Sequence, residues 1–120
     1  SKRNEMIDIT SRVQQLINIE KGICVIYCPH TTAAITINEN ADPDVTSDLL
    51  SHLKALVPEN SNFSHSEGNS DAHIKSSIIG CSETVIIKNK KLQLGQWQSI
   101  FFCEFDGPRQ RKVIVKTIEG

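Results

Sequence analysis

Residues 22–37 read Gly-Ile-Cys-Val-Ile-Tyr-Cys-Pro-His-Thr-Thr-Ala-Ala-Ile-Thr-Ile, and this stretch decides the fold class. An apolar run from Ile23 to Cys28 ends at Pro29, which has no N–H to donate to a sheet. The segment from Thr31 to Ile37 follows and is rich in β-branched residues. The stretch therefore predicts two consecutive strands, the first of them buried, with His30 at the break between them.

Helix signals lie on both sides of this strand pair. Asp8 or Thr10 is a cap for a short amphipathic segment, and Asp42-Pro-Asp44 places a cap, a proline and a carboxylate at a second helix start. A third helix is predicted from Asn69 to Gly80. Further strands are expected at residues 84–87, 92–94, 97–105 and 112–118, with Trp97 in the core, and residues 1–5 are expected to end a strand whose first residues are missing. The pattern predicts an α+β class with mainly antiparallel sheets.

Length, charge and cysteine content exclude several classes of protein. A chain of 120 residues is predicted to be a single domain spanning 1–120. Its 13 basic and 14 acidic side chains nearly balance, which argues against nucleic acid or an anionic membrane as a partner. No apolar run approaches the roughly 20 residues of a membrane span and no signal peptide opens the chain, so a cytoplasmic location is predicted. The four cysteines include no CxxC pair and are expected to be buried free thiols.

The segment from Phe63 to His73 is the first candidate site, because it holds two imidazoles and two carboxylates with little apolar material. Its chemistry-bearing residues are His65, Glu67, Asp71 and His73. A neutral imidazole can ligate a divalent metal or act as a base. The His-x7-His spacing matches no standard metal motif, and in the alternative interpretation Asp71 caps the helix and pairs with His73 while His65 is solvated.

Two further segments carry candidate binding groups. Thr31 and Thr32 follow His30 at a strand end, where their hydroxyls could bind a phosphate, although an ordinary bend explains the same pattern. Arg109 belongs to a run of three cations in Asp-Gly-Pro-Arg-Gln-Arg-Lys, residues 106–112. A guanidinium suits phosphate, whereas a charged hairpin tip is commonly just solvated.

Several of these segments resemble the YjbQ-like family: Cys-Pro-His-Thr-Thr at residues 28–32, His-Ser-Glu-Gly-Asn-Ser-Asp-Ala-His at 65–73, and Asp-Gly-Pro-Arg-Gln-Arg-Lys at 106–112. The resemblance covers nearly the whole chain. It implies two mainly antiparallel β-sheets packed as a sandwich with two to three short helices, assembled as a homotrimer. It also implies thiamine-phosphate synthase-type activity, in which a pyrimidine methyl pyrophosphate joins a thiazole phosphate and pyrophosphate is released.

The residues are assigned to three roles on this hypothesis. Predicted catalytic residues are His30, His65, His73 and Glu67. Predicted substrate-binding residues are Thr31, Thr32, Asn69, Lys75 and Arg109. Predicted ligands of a divalent metal, zinc or magnesium, are His30, His65, His73 and Asp71. The alternatives are a non-catalytic binding protein for a phosphorylated small molecule or a divalent metal, and a structural oligomer whose polar loop seals an interface.

Overall fold

The structure is a computed structural model that describes residues 2–59 and 68–120, within which there are three helices and seven strands. The elements are β1 (Glu5–Asp8), α1 (Thr10–Gln15), β2 (Lys21–Tyr27), β3 (Ala33–Glu39), α2 (Pro43–Leu56), α3 (Ser70–Ile79), β4 (Ser82–Lys88), β5 (Lys91–Leu92), β6 (Gln98–Glu104) and β7 (Ile114–Glu119). The strands form two antiparallel sheets, with strand orders β1-β6-β3 and β5-β4-β2-β7. This arrangement confirms the α+β class with two antiparallel sheets.

Strand β6 lies at the centre of the molecule and is buried on both faces. Ile100 and Phe102 point towards the β5-β4-β2-β7 sheet and join the larger apolar cluster. Phe101 and Cys103 point the opposite way and pack in a second cluster with side chains of α2 and α3. The described residues therefore form three layers, with helices α2 and α3 on one sheet and the second sheet on its other face.

Local sequence explains where the helices begin and end. Asp42 caps α2, since its Oδ1 accepts a hydrogen bond from the Asp44 N–H at 2.9 Å, and Pro43 occupies the first helical position. Helix α3 ends at Gly80, whose φ of 100° is strained for any residue with a Cβ atom. None of the helices in the described ranges is long and apolar enough to cross a bilayer.

Three local expectations were wrong. The N-terminal strand spans Glu5–Asp8 and residues 2–4 lie outside it, because β6 ends at Glu104, opposite Glu5. Trp97 lies in the turn before β6 and is 58% exposed, so it is not part of the core. Cys81 is exposed in the bend between α3 and β4, whereas Cys24, Cys28 and Cys103 are buried free thiols as expected.

The outer face of the β5-β4-β2-β7 sheet carries an exposed apolar stripe. Ile23 pairs in register with Ile86 on one side and Ile118 on the other, and Tyr27 pairs with Ile114. Ile86 is 64% exposed, and Tyr27, Ile114 and Ile118 are between 42% and 47% exposed. We call these five residues the outer stripe. Exposed apolar patches on a protein surface are commonly interaction sites.

Candidate functional site

Helix α3 begins with a buried carboxylate that two cations hold in place. Asp71 is fully buried, and its Oδ1 and Oδ2 accept hydrogen bonds from Nη2 and Nη1 of Arg3, both at 3.1 Å. The ammonium of Lys75, one turn later, donates to Oδ2 at 3.4 Å. Buried charges are commonly paired in this way because an unpaired charge loses its hydration on burial. Asp71 is therefore not the helix cap, and its oxygens bind Arg3 and Lys75.

The ion pair changes the acidity of this carboxylate. Burial alone would raise the pKa of Asp71, but the hydrogen bonds and positive charge of Arg3, with the charge of Lys75, outweigh that effect. The pKa of Asp71 is therefore held below its ordinary value. The same hydrogen bonds raise the pKa of Arg3, more than offsetting its own partial burial. The group remains a charged pair at neutral pH.

Lys75 is enclosed by the protein. Its side chain is 1% exposed, and its Nζ donates to Asn4 Oδ1 at 3.1 Å in addition to Asp71. The ammonium also lies 5.7 Å from the centre of the Phe105 ring, within the range of a cation–π interaction. The predicted binding of a substrate by Lys75 stays a prediction, and it would require these bonds to be exchanged for bonds to the ligand.

Asp106 connects the start of α3 to the loop that follows β6. Its Oδ2 accepts from Asn69 Nδ2 at 2.9 Å and from Arg109 Nη2 at 2.9 Å, and its backbone oxygen accepts from Arg109 Nε at 2.9 Å. The Arg3 guanidinium lies 3.8 Å from Oδ1. The structure thus brings two predicted binding residues, Asn69 and Arg109, to one carboxylate.

A second buried ion pair lies next to Asp106. Arg111 donates from Nε to Glu104 Oε1 at 2.8 Å and from Nη2 to Oε2, and Nη2 also donates to Thr32 Oγ1 at 2.8 Å. The hydrogen bonds to Glu104 raise the pKa of Arg111. Glu104 Oε2 further accepts from the Asp106 N–H at 3.0 Å, which joins the two ion pairs into one network.

We call this connected set of residues the polar network. Its members are Arg3, Thr32, Asn69, Asp71, Lys75, Glu104, Asp106, Arg109 and Arg111. They come from the N-terminal segment, the connection after β2, the start of α3, and the connection between β6 and β7.

His30 lies beside the network and is engaged through one ring nitrogen. Its Nε2 accepts a hydrogen bond from the backbone N–H of Lys112 at 3.0 Å. An imidazole that accepts at Nε2 is neutral and carries its proton on Nδ1. The Nε2 lone pair is therefore used inside the protein, and a metal at that nitrogen would have to displace the Lys112 N–H.

The remaining predicted site residues are His73, Thr31, His65 and Glu67. His73 is half-buried in the first turns of α3, and its backbone N–H donates to Asn69 O at 3.3 Å. Thr31 is exposed. His65 and Glu67 lie outside the described residues, so the meeting of three imidazoles in one site stays a prediction. Within residues 2–59 and 68–120, no three His, Cys, Asp or Glu side chains come together in a way that could hold a metal ion.

One buried polar atom of the network has no partner among residues 2–59 and 68–120. Asn69 is 8% exposed, and its Oδ1 accepts no hydrogen bond from these residues. Its Nδ2 is engaged with Asp106, which fixes the amide so that Oδ1 is the free acceptor. A buried acceptor without a donor is costly, and such groups are commonly completed by water or a ligand. This atom marks where a hydroxyl or N–H of a bound molecule would be stabilised.

Sequence reasoning missed Arg3, Glu104 and Asp106 as members of the site. Arg3 is 68 positions from Asp71 in the chain, and no local pattern connects them. Glu104 did carry a signal, because it interrupts the apolar run of β6 and is only 5% exposed. A charge at such a position requires a partner of opposite sign, and Arg111 in the nearby run of cations meets that requirement.

Known proteins share both the sequence and the fold. The family model described as UPF0047 protein YjbQ-like matches residues 1–120. UPF0047 protein MJ1081 of Methanocaldococcus jannaschii is 59% identical, over 98% of this chain and 88% of that protein. UPF0047 protein YugU of Bacillus subtilis is 53% identical, over 98% of this chain and 92% of its own. A crystal structure of a YjbQ/UPF0047 family protein from Clostridium acetobutylicum superposes with a TM-score of 0.96 at 54% identity, covering 98% of this chain and 94% of the other.

Proposed function

The chain belongs to the YjbQ-like UPF0047 family, and from this premise we propose that it binds a phosphorylated small molecule at the polar network. The observation that carries the proposal is the state of Arg109. Its guanidinium is held by Asp106 through Nε and Nη2, yet the side chain is 56% exposed. An arginine positioned on one side and open on the other can bind a phosphate without first losing conformational freedom.

The rest of the network supports a polar ligand at the same place. Asp106 holds Arg109 and Asn69 with one carboxylate oxygen, so the open guanidinium and the unpaired Asn69 Oδ1 belong to one bonded unit. A ligand with a phosphate and a neighbouring hydroxyl or N–H would satisfy both. All three arginines are paired with carboxylates, but Arg3 and Arg111 are only 30% and 12% exposed, whereas Arg109 is 56% exposed. Arg109 is therefore the cation that we assign to the ligand.

Isothermal titration calorimetry of the purified chain tests this proposal. Thiamine phosphate and inorganic pyrophosphate serve as probes, each titrated into wild-type protein, Arg109→Gln and Lys54→Gln. Because a hydrogen bond to a charged group contributes about 1.5–3 kcal/mol, Arg109→Gln should weaken binding roughly tenfold or more. Lys54 lies exposed on α2 and serves as a control for the loss of one positive charge. Equal affinity in Arg109→Gln and Lys54→Gln would contradict the proposal.

The second candidate is the thiamine-phosphate synthase-type transfer implied by the resemblance. One observation favours it: the connection between β6 and β7 carries the open Arg109 and also holds the neutral ring of His30 through Lys112. A cation for the departing pyrophosphate and an imidazole thus lie at one connection, and His30 could act as a base there once Nε2 exchanges its bond from the Lys112 N–H. The assay is formation of thiamine phosphate from the two substrates by wild type and His73→Ala. No turnover by wild type would leave binding alone as the function, and turnover that His73→Ala retains unchanged would remove His73 from the reaction.

We also propose that the chain forms a homotrimer, as the resemblance implies. The outer stripe supports this assembly because it would leave apolar surface in water in a single chain. Light scattering on wild type and Ile86→Lys tests the assignment. A lysine at the most exposed position of the stripe should dissociate the assembly, whereas Lys54→Gln should not. An unchanged mass for Ile86→Lys would place the subunit contact elsewhere. The cytoplasmic location stays a prediction.

A further inference from the structure

A cavity of about 360 Å³ opens beside the β6–β7 connection, and Glu104, Arg109 and Arg111 of the polar network form part of its wall. Its walls come from β1, α1, β6, β7 and the connection between β6 and β7. In the described sheets β1 pairs with β6, and β7 pairs with β2, each at the edge of its own sheet. The cavity therefore lies where the two sheets part, and its volume is within the range of small-molecule sites, about 300–1,000 Å³.

The inner wall of the cavity is apolar and belongs to the core. Ile9, Val13 and Phe102 line it and are 6%, 1% and 5% exposed. Ile7 and Val115 also line the cavity and pack against the same core cluster. Residues of the hydrophobic core therefore form this wall, and the cavity gives a ligand access to them. The apolar part of a ligand bound there would be buried from water, as a core side chain is.

The rim of the cavity is cationic. Arg12 on α1 and Lys112 in the β6–β7 connection both line it and are exposed. Across residues 2–59 and 68–120, no carboxylate forms an ion pair with either side chain. The lining carries five cationic side chains and two carboxylates: Lys2, Arg12, Arg109, Arg111 and Lys112 against Glu5 and Glu104. The net charge of the lining is therefore positive.

We propose that this cavity binds a small amphiphilic carboxylate, an apolar acid of the size of a medium-chain fatty acid. The apolar body lies against Val13 and Phe102, and the carboxylate binds Arg12 and Lys112 at the rim. This ligand differs from the phosphorylated molecule proposed for the polar network, and the proposal does not depend on that function. Arg109 both lines the cavity and belongs to the network, whereas Arg12 lines the cavity alone. Substitution of Arg12 therefore tests carboxylate binding apart from phosphate binding.

Isothermal titration calorimetry with sodium octanoate, below its micelle-forming concentration, tests the site. We expect saturable binding at one site per chain. Hexanoate and butanoate should bind progressively more weakly, by about fourfold for each methylene removed, because each buried methylene contributes about 0.8 kcal/mol. Octanol, which has the same chain but no charge, should bind at least tenfold more weakly than octanoate. Failure of octanoate to bind would overturn the proposal.

The matched variants are Arg12→Gln and Lys54→Gln, both at exposed helix positions, so neither should impair folding. Arg12→Gln should weaken octanoate binding at least fivefold, while Lys54→Gln should bind as wild type does. Arg12→Gln should bind pyrophosphate normally, because Arg12 is not a member of the polar network. Equal affinity for octanoate and octanol, or no effect of Arg12→Gln, would overturn the assignment of the carboxylate to the rim. Neither of those outcomes bears on phosphate binding at the network.

Discussion

Replacement of Asp71 by asparagine tests whether the buried carboxylate stabilises the fold. Asparagine keeps the shape and one oxygen acceptor but removes the negative charge between Arg3 and Lys75. Lys75 is 1% exposed, so it would remain buried with its charge no longer balanced by Asp71. Removing one partner of a buried ion pair costs about 3–5 kcal/mol. Since Asn4 and Phe105 still contact the ammonium, we expect the lower end, about 3 kcal/mol.

Urea unfolding followed by circular dichroism measures this loss. With a slope of about 2 kcal/mol per molar urea, a loss of about 3 kcal/mol lowers the midpoint by roughly 1.5 M. The matched control is Asp48→Asn, an exposed carboxylate on α2, which should leave the midpoint nearly unchanged. A midpoint for Asp71→Asn within 0.5 M or so of wild type would refute the reasoning.

The pH dependence supplies a second, independent check. The pKa of Asp71 is lower in the folded chain than its ordinary value of about 3.9. Its stabilising contribution is therefore complete above that value and is lost as pH falls through the lower folded pKa. The difference between wild type and Asp71→Asn should be constant near neutral pH and shrink below about pH 4. A difference that stays constant down to strongly acidic pH would show that the carboxylate charge is not the cause.

Three further predictions follow from other parts of the structure. Glu104→Gln leaves Arg111 without its carboxylate and should lower the unfolding free energy by about 2 kcal/mol, measured by urea unfolding. In the folded chain Cys81 should react quickly with Ellman's reagent at pH 8, whereas Cys103, whose pKa burial raises to about 12, should react after unfolding. If the predicted histidine site binds zinc or magnesium, metal analysis of purified protein should find about one divalent ion per chain, lost in His73→Ala.

Each of these predictions has its own control. Glu20→Gln removes an exposed carboxylate and should unfold as wild type does; a Glu104→Gln variant that matches it would contradict the role of the Arg111 pair. The fast thiol should disappear in Cys81→Ser, and a fast thiol that persists there would show that a buried cysteine is accessible. Purified protein without a divalent ion, and with no spectral change on addition of cobalt, would remove the metal hypothesis.

Much of the fold was predictable because its signals are local. The strands β2 and β3 were expected from an apolar run, a proline and a β-branched run, and the structure places them at Lys21–Tyr27 and Ala33–Glu39. Helix α3 was expected between Asn69 and Gly80 and spans Ser70–Ile79. Trp97 was placed wrongly because its apolar ring suggested core, while the turn that contains it faces outwards.

The site was less predictable because ion pairs depend on residues that are distant in the chain. The sequence identified Asp71 and Lys75 as chemically notable, but it gave no indication that Arg3 would contact Asp71 from the N-terminal segment. Arg111 was identified as a cation. Its carboxylate partner, Glu104, lies in the apolar run of β6, which predicted a buried strand and gave no indication of an ion pair. The residue types show which side chains could bind a ligand or take part in catalysis. Tertiary packing decides which of those side chains already have ion-pair or hydrogen-bond partners within the protein.

The double burial of β6 has a consequence for how substitutions combine. Phe101 and Phe102 are adjacent in the chain, but each belongs to a different apolar cluster. Contacting residues commonly give non-additive effects, whereas residues without shared neighbours add. Truncation of both rings should therefore cost close to the sum of the single losses, as if the two positions were far apart. Substitutions on the two faces of β6 should therefore change the free energy of unfolding independently, although the strand joins the helical layer to the second sheet.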